Sequence, residues 1–350
     1  MERRVEVGVL GATGMVGQQF ISFLQGHPWF DVTWLGASER SAGKKYSEAA
    51  NWTLDGKVPE SIAGQTVHEA RPAAGAPKLM FSAMDASVAG EIEQAFAAAG
   101  HVVVSNSRNH RMEPDVPLLI PEINADHLGI IPAQRKNRGW AGAIVTNPNC
   151  STITMALGLA PLKRFGIRKI LASTMQAISG AGYPGMPSMD IVGNVVPFIK
   201  NEEEKMESET QKILGDFANG KIVPLPAAVS AHCNRVAVID GHTVAVSVEL
   251  EQKPGVAALA EAMAAYRGVP QEKNLPSAPK QPIHVMTEEN RPQPRKDAML
   301  ENGMAVSVGR IRECPILDYK MVILAHNTIR GAAGAAVLNA ELLFEQGLLD

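Results

Sequence analysis

Val5-Glu6-Val7-Gly8-Val9-Leu10-Gly11-Ala12-Thr13-Gly14-Met15-Val16-Gly17 is the stretch on which the fold turns. Val5 to Leu10 has the apolar content of a buried strand, and Met15 to Gln25 has a helical pattern. Three glycines spaced G-x-x-G-x-x-G fill the junction. Glycine there lets the chain turn tightly and come close to a pyrophosphate, while the helix N-terminus offers free N–H groups and positive dipole charge. The spacing departs from the commoner G-x-G-x-x-G. A tight strand–helix turn with close packing would give the same pattern without a ligand. The position at the first strand–helix junction favours a dinucleotide, with Gly11, Thr13, Gly14, Met15 and Val16 as candidate contacts.

Outward from this turn, Asp31 to Ala37, Lys78 to Phe81, His101 to Ser105 and Ala143 to Thr146 read as strands, and Ala86 to Ala99 as an Ala-rich helix. Strands alternating with helices predict βαβ units and a parallel sheet. Asn106 to Gly142 is rich in Pro, Asn and Arg and reads as mostly irregular. After Cys150 the style changes. Ser151 to Phe165 reads as helix, Ile167 to Ile178 as strand, Ser179 to Pro187 as a Gly/Pro loop, and Glu202 to Ala218 as an amphipathic helix. Val229 to Ile239 and His242 to Leu250 read as two strands joined by an Asp240-Gly241 hairpin turn. Val256 to Tyr266 is helical. Gly268 to Arg295 is loop-like, with a short strand near Ile283 to Met286. Met304 to Ile311 and Asp318 to Ala325 are strands, and Gly331 to Phe344 is an Ala-rich helix. The expected architecture is α/β: an N-terminal Rossmann-like domain over 1–149 with a parallel sheet, then an α+β catalytic and dimerisation domain over 150–330.

The composition sets boundaries. A chain of 350 residues with 45% hydrophobic and 20% charged residues is globular and long enough for two domains. Lys plus Arg is 33 and Asp plus Glu is 36, a net charge of -3 that gives no reason to expect nucleic acid or an anionic membrane as partner. Apolar stretches break before 18 residues, and the N-terminus runs into a strand pattern without a leader-like apolar region. Cys150, Cys233 and Cys314 form neither a disulfide framework nor a zinc motif, and no other metal constellation is visible. The expectation is a cytoplasmic protein.

The second strand ends in Gly36-Ala37-Ser38-Glu39-Arg40-Ser41. An NAD enzyme usually has a carboxylate at that end for the ribose 2′-OH. Small residues stand there instead, with Ser38, Arg40 and Ser41 available to a 2′-phosphate, which favours NADP. Glu39 is a counter-signal, and a solvated polar loop is the alternative.

Thr146-Asn147-Pro148-Asn149-Cys150-Ser151-Thr152 carries the strongest chemical signal. A strand ends at a Pro-containing turn, Asn149 can cap a helix, and Cys150 falls in the first helical turn. Unpaired N–H groups and the helix dipole there would stabilise a thiolate. A buried structural cysteine is the alternative, and the one favoured for Cys233 and Cys314. A nucleophilic thiol needs a base. In an Asp240-Gly241 hairpin, Ile239 pairs with His242, and Arg235 shares the His242 face about 13 Å along the ribbon. That arrangement suggests a proton shuttle at one end of a site and an anion clamp at the other.

Taken together, the glycine turn, Asn149-Cys150-Ser151-Thr152, Gln176, the Glu202-to-Lys205 segment, and Arg235 with His242 seven residues later resemble aspartate-β-semialdehyde dehydrogenase along essentially the whole chain. Ala37-Ser38-Glu39-Arg40-Ser41-Ala42-Gly43-Lys44 and Asn327-Thr328-Ile329-Arg330-Gly331-Ala332-Ala333-Gly334 resemble the branch found in archaea and fungi. The resemblance implies that Cys150 is the acyl-forming nucleophile, His242 the general acid/base, and Gln176 the group that orients the acyl intermediate. It implies that Arg235 holds the substrate α-carboxylate and Glu202 its α-amino group. Lys205 and Arg111, with Asn149 nearby, receive phosphate, and Asn327, Ser179 and Gly180 lie by the nicotinamide.

The implied reaction is reversible, NADP-dependent reductive dephosphorylation of 4-phospho-L-aspartate to L-aspartate 4-semialdehyde. It belongs to the biosynthesis of lysine, methionine and threonine. The implied assembly is a homodimer or a homotetramer, and the C-terminal helix, within 331–350, returns to the Rossmann domain. On the residues alone, Glu202 and Lys205 at i, i+3 also fit a surface ion pair, and Arg111 a solvated loop. Two other functions stay open: an acyl-CoA reductase, for instance of malonyl-CoA, on the same scaffold, and a catalytically silent dinucleotide-binding regulator.

Overall fold

The structure is a computed structural model that describes residues 4–349. Met1 to Arg3, part of the stretch that reads as leaderless, and Asp350, the end of the expected C-terminal segment, lie outside the described residues.

The first sheet has six parallel strands: β1 (Val5–Leu10), β2 (Phe30–Ala37), β3 (Val67–Glu69), β4 (Leu79–Ser82), β5 (Val102–Ser105) and β6 (Ala143–Thr146). Their order is β3-β2-β1-β4-β5-β6. The chain reverses direction across the sheet between β1 and β4, and the crevice at such a switch point is where doubly wound folds bind ligands. The glycine turn sits there, leading into helix α1 (Met15–Phe23). Two of its glycines are sterically required. Gly11 has φ +73, and a Cβ on it would lie 2.6 Å from the Ala83 carbonyl oxygen. A Cβ on Gly17 would lie 2.2 Å from the Gly11 oxygen, so this glycine lets α1 press on the turn. Gly14 differs, having ordinary backbone angles and room for a side chain, since a Cβ there would make only an ordinary contact, 3.5 Å from the Gly11 oxygen.

The segment 106–142 is more ordered than expected. It holds helical turns at Pro121–Asn124 and Ala125–Ile130, then a helix at Ile131–Arg138. Two of the four prolines that suggest irregularity, Pro121 and Pro132, sit in first helical turns, where a missing N–H costs nothing, and Gly139 closes the helix in the left-handed conformation. The short strand β3 carries too little pattern to be seen in the sequence. Helix α2 (Ala86–Ala98) lies between β4 and β5 as expected.

Beyond β6, helix α3 (Cys150–Leu159) continues as 3-10 turns to Phe165. The second sheet is built on β7 (Ile167–Gln176), with β8 (Val195–Val196) at one edge. Helix α4 covers Glu202–Ile213 and ends sooner than expected. A small hairpin follows, β9 (Asp216–Ala218) and β10 (Lys221–Val223), turning at Asn219 and Gly220, both with positive φ. Asn-Gly is a strong hairpin signal that the helical pattern masks. Then come β11 (Ala228–Val236), β12 (His242–Leu250), β13 (Ile283–Val285), β14 (Val306–Glu313) and β15 (Tyr319–Ala325).

The order is β13-β14-β15-β12-β7-β11-β8, and this corrects one expectation. β11 and β12 do not form a hairpin. β7 lies between them, parallel to β11 and antiparallel to β12. Gly241 has positive φ and Asp240 does not, so the pair fails the requirement of the tight primed turn for φ > 0 at both residues.

The C-terminal helix α5 (Gly334–Glu345) is buried along nearly its whole length and joins the apolar core under the first sheet through Ala336, Val337 and Leu338. Arg330, just before it, makes a fully buried two-pronged ion pair with Glu122. The ends of β7, β11 and β15 and the start of β12 meet at one edge of the second sheet. That edge faces the residues after β6.

Candidate active site

Asn149 caps α3 through its side-chain oxygen, which accepts from the N–H groups of Ser151 and Thr152 at 3.0 and 3.2 Å. Cys150 is therefore the first residue of the helix. The backbone of Gly331 presses against it, and a Cβ on Gly331 would come within 2.7 Å of the Cys150 Cβ. From the second sheet, His242 brings Nε2 to 3.2 Å from Cys150 Sγ. Its other nitrogen, Nδ1, accepts from the Ala177 N–H at 3.1 Å.

Arg235 stands opposite Gln176 in the β11–β7 register, and His242 begins the strand on the far side of β7. Arg235, Gln176 and His242 therefore form a row across three adjacent strands, all with buried side chains. Arg235 donates to the Ala177 carbonyl at 2.7 Å, so the Ala177 residue binds both His242 and Arg235. The shared face expected for this pair is present. Its cause is a strand between them, not a hairpin, and it removes the 13 Å separation along a ribbon. Gly180 leaves room for the loop to lie on both side chains; a Cβ there would be 2.8 Å from Arg235 Nη1 and 3.0 Å from His242 Cε1.

Glu202, at the start of α4, gathers several donors. Asn149 Nδ2 reaches both its oxygens at 3.0 and 2.8 Å, Gln176 Nε2 donates at 3.2 Å, and Lys205 Nζ at 2.8 Å. Glu202 and Lys205 are thus part of the site's wall and not a solvated surface pair. Arg111 is buried and not a solvated loop residue. It donates to Glu209 at 2.9 Å and to the Asn106 carbonyl at 2.7 Å. Its Nε is buried with no partner. Asn149 is tied up on both ends of its amide, as helix cap and as Glu202 donor. Asn327 accepts from the Gly241 N–H and donates to Ser179 Oγ, both at 2.8 Å. Ser38 and Arg40 stand exposed past the end of β2, with Ser41 partly exposed beside them.

A cleft of about 430 Å³ is lined by Cys150, Asn149, Arg111, Lys205, Ser179 and Asn327; Arg235, Gln176, His242 and Glu202 stand behind this wall, and Ser38, Arg40 and Ser41 lie outside it. Met15 and Val16, from the glycine turn, line the same cleft. The glycine turn and the thiol therefore open into one space.

The electrostatics correct the expected low thiol pKa. Burial, and then the negative Glu202, push the Cys150 thiol up to about 12, against the pull of Arg235, Arg111 and Lys205. The helix terminus gives little relief because Asn149 already occupies the N–H groups of Ser151 and Thr152. Burial, and then Arg235, push His242 down to about 3. Burial works to raise the Glu202 carboxyl, but Lys205, Asn149 and Gln176 together hold it below the usual carboxylate range.

Sequence reasoning missed Glu209, Lys212 and the Ala177 main chain. Glu209 and Lys212 follow Glu202 and Lys205 at helical spacing, so four alternating charges mark one face of α4. That face was the available signal. The main-chain role of Ala177 has no signal in residue type.

A doubly wound sheet whose switch-point cleft leads to a paired thiol and imidazole defines a nucleotide-binding oxidoreductase. Residues 6–131 match the family model described as semialdehyde dehydrogenase, NAD binding domain, and residues 159–330 match semialdehyde dehydrogenase, dimerisation domain. Aspartate-semialdehyde dehydrogenase of Methanothermobacter thermautotrophicus is 52% identical over 345 residues, covering 97% of this chain and 99% of the relative. That of Saccharomyces cerevisiae is 46% identical, with 98% of each chain covered. The crystal structure of aspartate semialdehyde dehydrogenase with NADP from Candida albicans superposes with a TM-score of 0.91 at 44% identity, covering 99% of both chains. The chain belongs to the aspartate-semialdehyde dehydrogenase family, and it is an oxidoreductase of amino-acid biosynthesis.

Proposed function

We propose that the enzyme catalyses the reversible, NADP-dependent conversion of 4-phospho-L-aspartate to L-aspartate 4-semialdehyde and phosphate through a Cys150 thioester. The observation that carries this reading is the 3.2 Å approach of His242 Nε2 to Cys150 Sγ in a cleft shared with the glycine turn. The turn fits a dinucleotide. Gly11 and Gly17 bring the backbone and α1 together, and the cleft lined by Met15 and Val16 leaves the first turn of α1 accessible to a pyrophosphate. Ser38, Arg40 and Ser41 would hold the 2′-phosphate. NADP, when bound, supplies the hydride chemistry.

The protein's own residues supply the rest. Cys150 Sγ attacks the acyl carbon, the bond from that carbon to the phosphate oxygen breaks, and the departing phosphate carries off the thiol proton, leaving a thioester. Arg235 holds the α-carboxylate in a two-pronged grip and Glu202 holds the α-amino group. Gln176 orients the acyl group. Lys205 and Arg111 receive the phosphate, and the unpartnered Nε of Arg111 is a donor suited to it. We assign acid–base exchange at the oxygen that gains charge in reduction to His242, whose Nε2 faces Cys150; full transfer of a proton from the ring requires that it first take up a second proton, which burial and Arg235 oppose in the free enzyme. Asn327, Ser179 and Gly180 form the wall on the nicotinamide side.

We divide the chain into a nucleotide-binding part, 1–149 with the C-terminal helix, and a catalytic and dimerisation part, 150–330. We assign the exposed face of the second sheet, with Leu171 and Met175, to a homodimer or homotetramer. Among the described residues no helix is long and apolar enough to cross a membrane, and we place the enzyme in the cytoplasm. The test is NADPH oxidation with 4-phospho-L-aspartate against malonyl-CoA. Turnover with the acyl phosphate alone, lost in Cys150→Ser with NADP binding kept, supports the proposal. Preference for malonyl-CoA, or near-normal activity of Cys150→Ser, overturns it.

A further inference from the structure

Glu209 lies on α4 two turns beyond Glu202, and it is 1% exposed. One of its oxygens accepts from Arg111 Nη1 at 2.9 Å, and the other accepts from the backbone N–H of Asn149 at 2.7 Å. Asn149 is the residue before Cys150. A single carboxylate thus joins a buried guanidinium to the peptide that leads into the nucleophile. The same helix grips the Arg111 loop at a second point, where Lys212 Nζ donates to the carbonyls of Arg111, Glu113 and Val116 at 2.7 to 2.8 Å.

We propose that Glu209 is a positioning residue that fixes the phosphate-binding guanidinium and the Cys150 turn in one rigid relation. The proposal rests on the assignment of Arg111 to phosphate. The two partners of Glu209 come from different chain segments, one the Arg111 loop and the other the peptide before Cys150. With one oxygen on each, a shift of α4 moves the anion site and the thiol together, which preserves the distance between phosphorus leaving group and sulfur. Orientation of this kind is worth large factors in rate, because attack requires near-contact alignment.

The test is Glu209→Gln in the full-length enzyme. The amide has the same shape but one acceptor and one donor end, so it can satisfy Arg111 or the Asn149 N–H but not both. The expected result is a rise of about ten-fold or more in the phosphate KM with a lower kcat, the scale of one charge-assisted hydrogen bond. The KM values for semialdehyde and NADP should stay within about two-fold on the same scale. If Glu209→Gln does not fold, Glu209→Asp, which is too short to span both partners, gives the same readout. Arg111→Met runs alongside. A phosphate KM raised by Arg111→Met but unchanged by the Glu209 variants overturns the proposal and leaves the phosphate assignment standing. An equal rise in all three KM values marks Glu209 as structural and also overturns it. No effect of Arg111→Met on phosphate KM overturns the phosphate assignment itself, and the proposal with it.

Discussion

His242 faces Cys150 with Nε2 at 3.2 Å from sulfur and turns Nδ1 back to the Ala177 N–H. Because Nδ1 accepts that bond, the neutral ring carries its proton on Nε2, toward the sulfur. Burial and the nearby Arg235 oppose a second proton. If Arg235 holds the substrate carboxylate as proposed, that negative charge would offset the guanidinium and make the imidazole more basic in the bound complex.

Histidine-selective 15N NMR tests this directly. In the free enzyme His242 should remain neutral, protonated on Nε2 and bare on Nδ1, well below the ordinary imidazole pKa of about 6.5. Arg235→Met removes the second cause of the depressed pKa, so the ring should titrate at higher pH in that variant. Titration of the wild-type ring near the ordinary value would contradict the buried, donor-locked geometry.

The thiol offers a second electrostatic test. Glu202 raises the Cys150 pKa and Arg235 lowers it. At fixed pH the thiolate fraction, and with it the rate of iodoacetamide labelling, follows that pKa. Glu202→Gln should therefore label Cys150 faster than wild type, and Arg235→Met should label it more slowly. Mass spectrometry of the Cys150 peptide separates this from labelling of Cys314, which is partly exposed. Opposite signs would show that packing around sulfur, not charge, controls its reactivity.

The glycine turn is legible in the sequence because two close backbone approaches demand glycine at 11 and 17. Cys150 is legible because an Asx cap and a strand-ending proline fix where its helix begins. The failures have a different origin. Asp240-Gly241 looks like a hairpin locally, but β7 supplies better partners to both flanking strands, and pairing across a sheet is not written in any short window. The raised thiol pKa follows from what surrounds Cys150 in space. The helix terminus predicts the opposite, because sequence shows the N–H groups and the Asn149 cap but neither the burial of the sulfur nor the approach of Glu202. Glu209 lies in a run of charges that normally face water.

NADP preference should depend on Arg40. Its side chain stands exposed at the end of β2, where a ribose 2′-phosphate would lie. A charge-assisted bond to phosphate contributes roughly 1.5–3 kcal/mol, or about 10- to 150-fold in affinity, and solvent exposure favours the lower end. Arg40→Ala should raise the NADP KM and barely change that for NAD. An equal effect on both cofactors would show that Arg40 does not reach the 2′-phosphate.

Arg235 and Arg111 are two guanidiniums assigned to two different anions, and Arg235→Lys separates them. Lysine keeps the positive charge, so long-range attraction for the substrate carboxylate survives. It loses the planar fork that fixes the carboxylate's direction. It also loses the geometry of the bond to the Ala177 carbonyl, whose N–H holds His242. The semialdehyde KM should therefore rise, and kcat should fall because the aldehyde carbon no longer sits squarely over Cys150. Phosphate KM should move far less, since Arg111 and Lys205 are on other elements. Lys205→Ala should show the converse pattern, chiefly a higher phosphate KM. Steady-state kinetics with each substrate varied in turn decides the matter. If Arg235→Lys changed phosphate KM more than semialdehyde KM, the two anion sites would be interchanged, and the row of Arg235, Gln176 and His242 across the sheet would serve the phosphate instead of the amino acid.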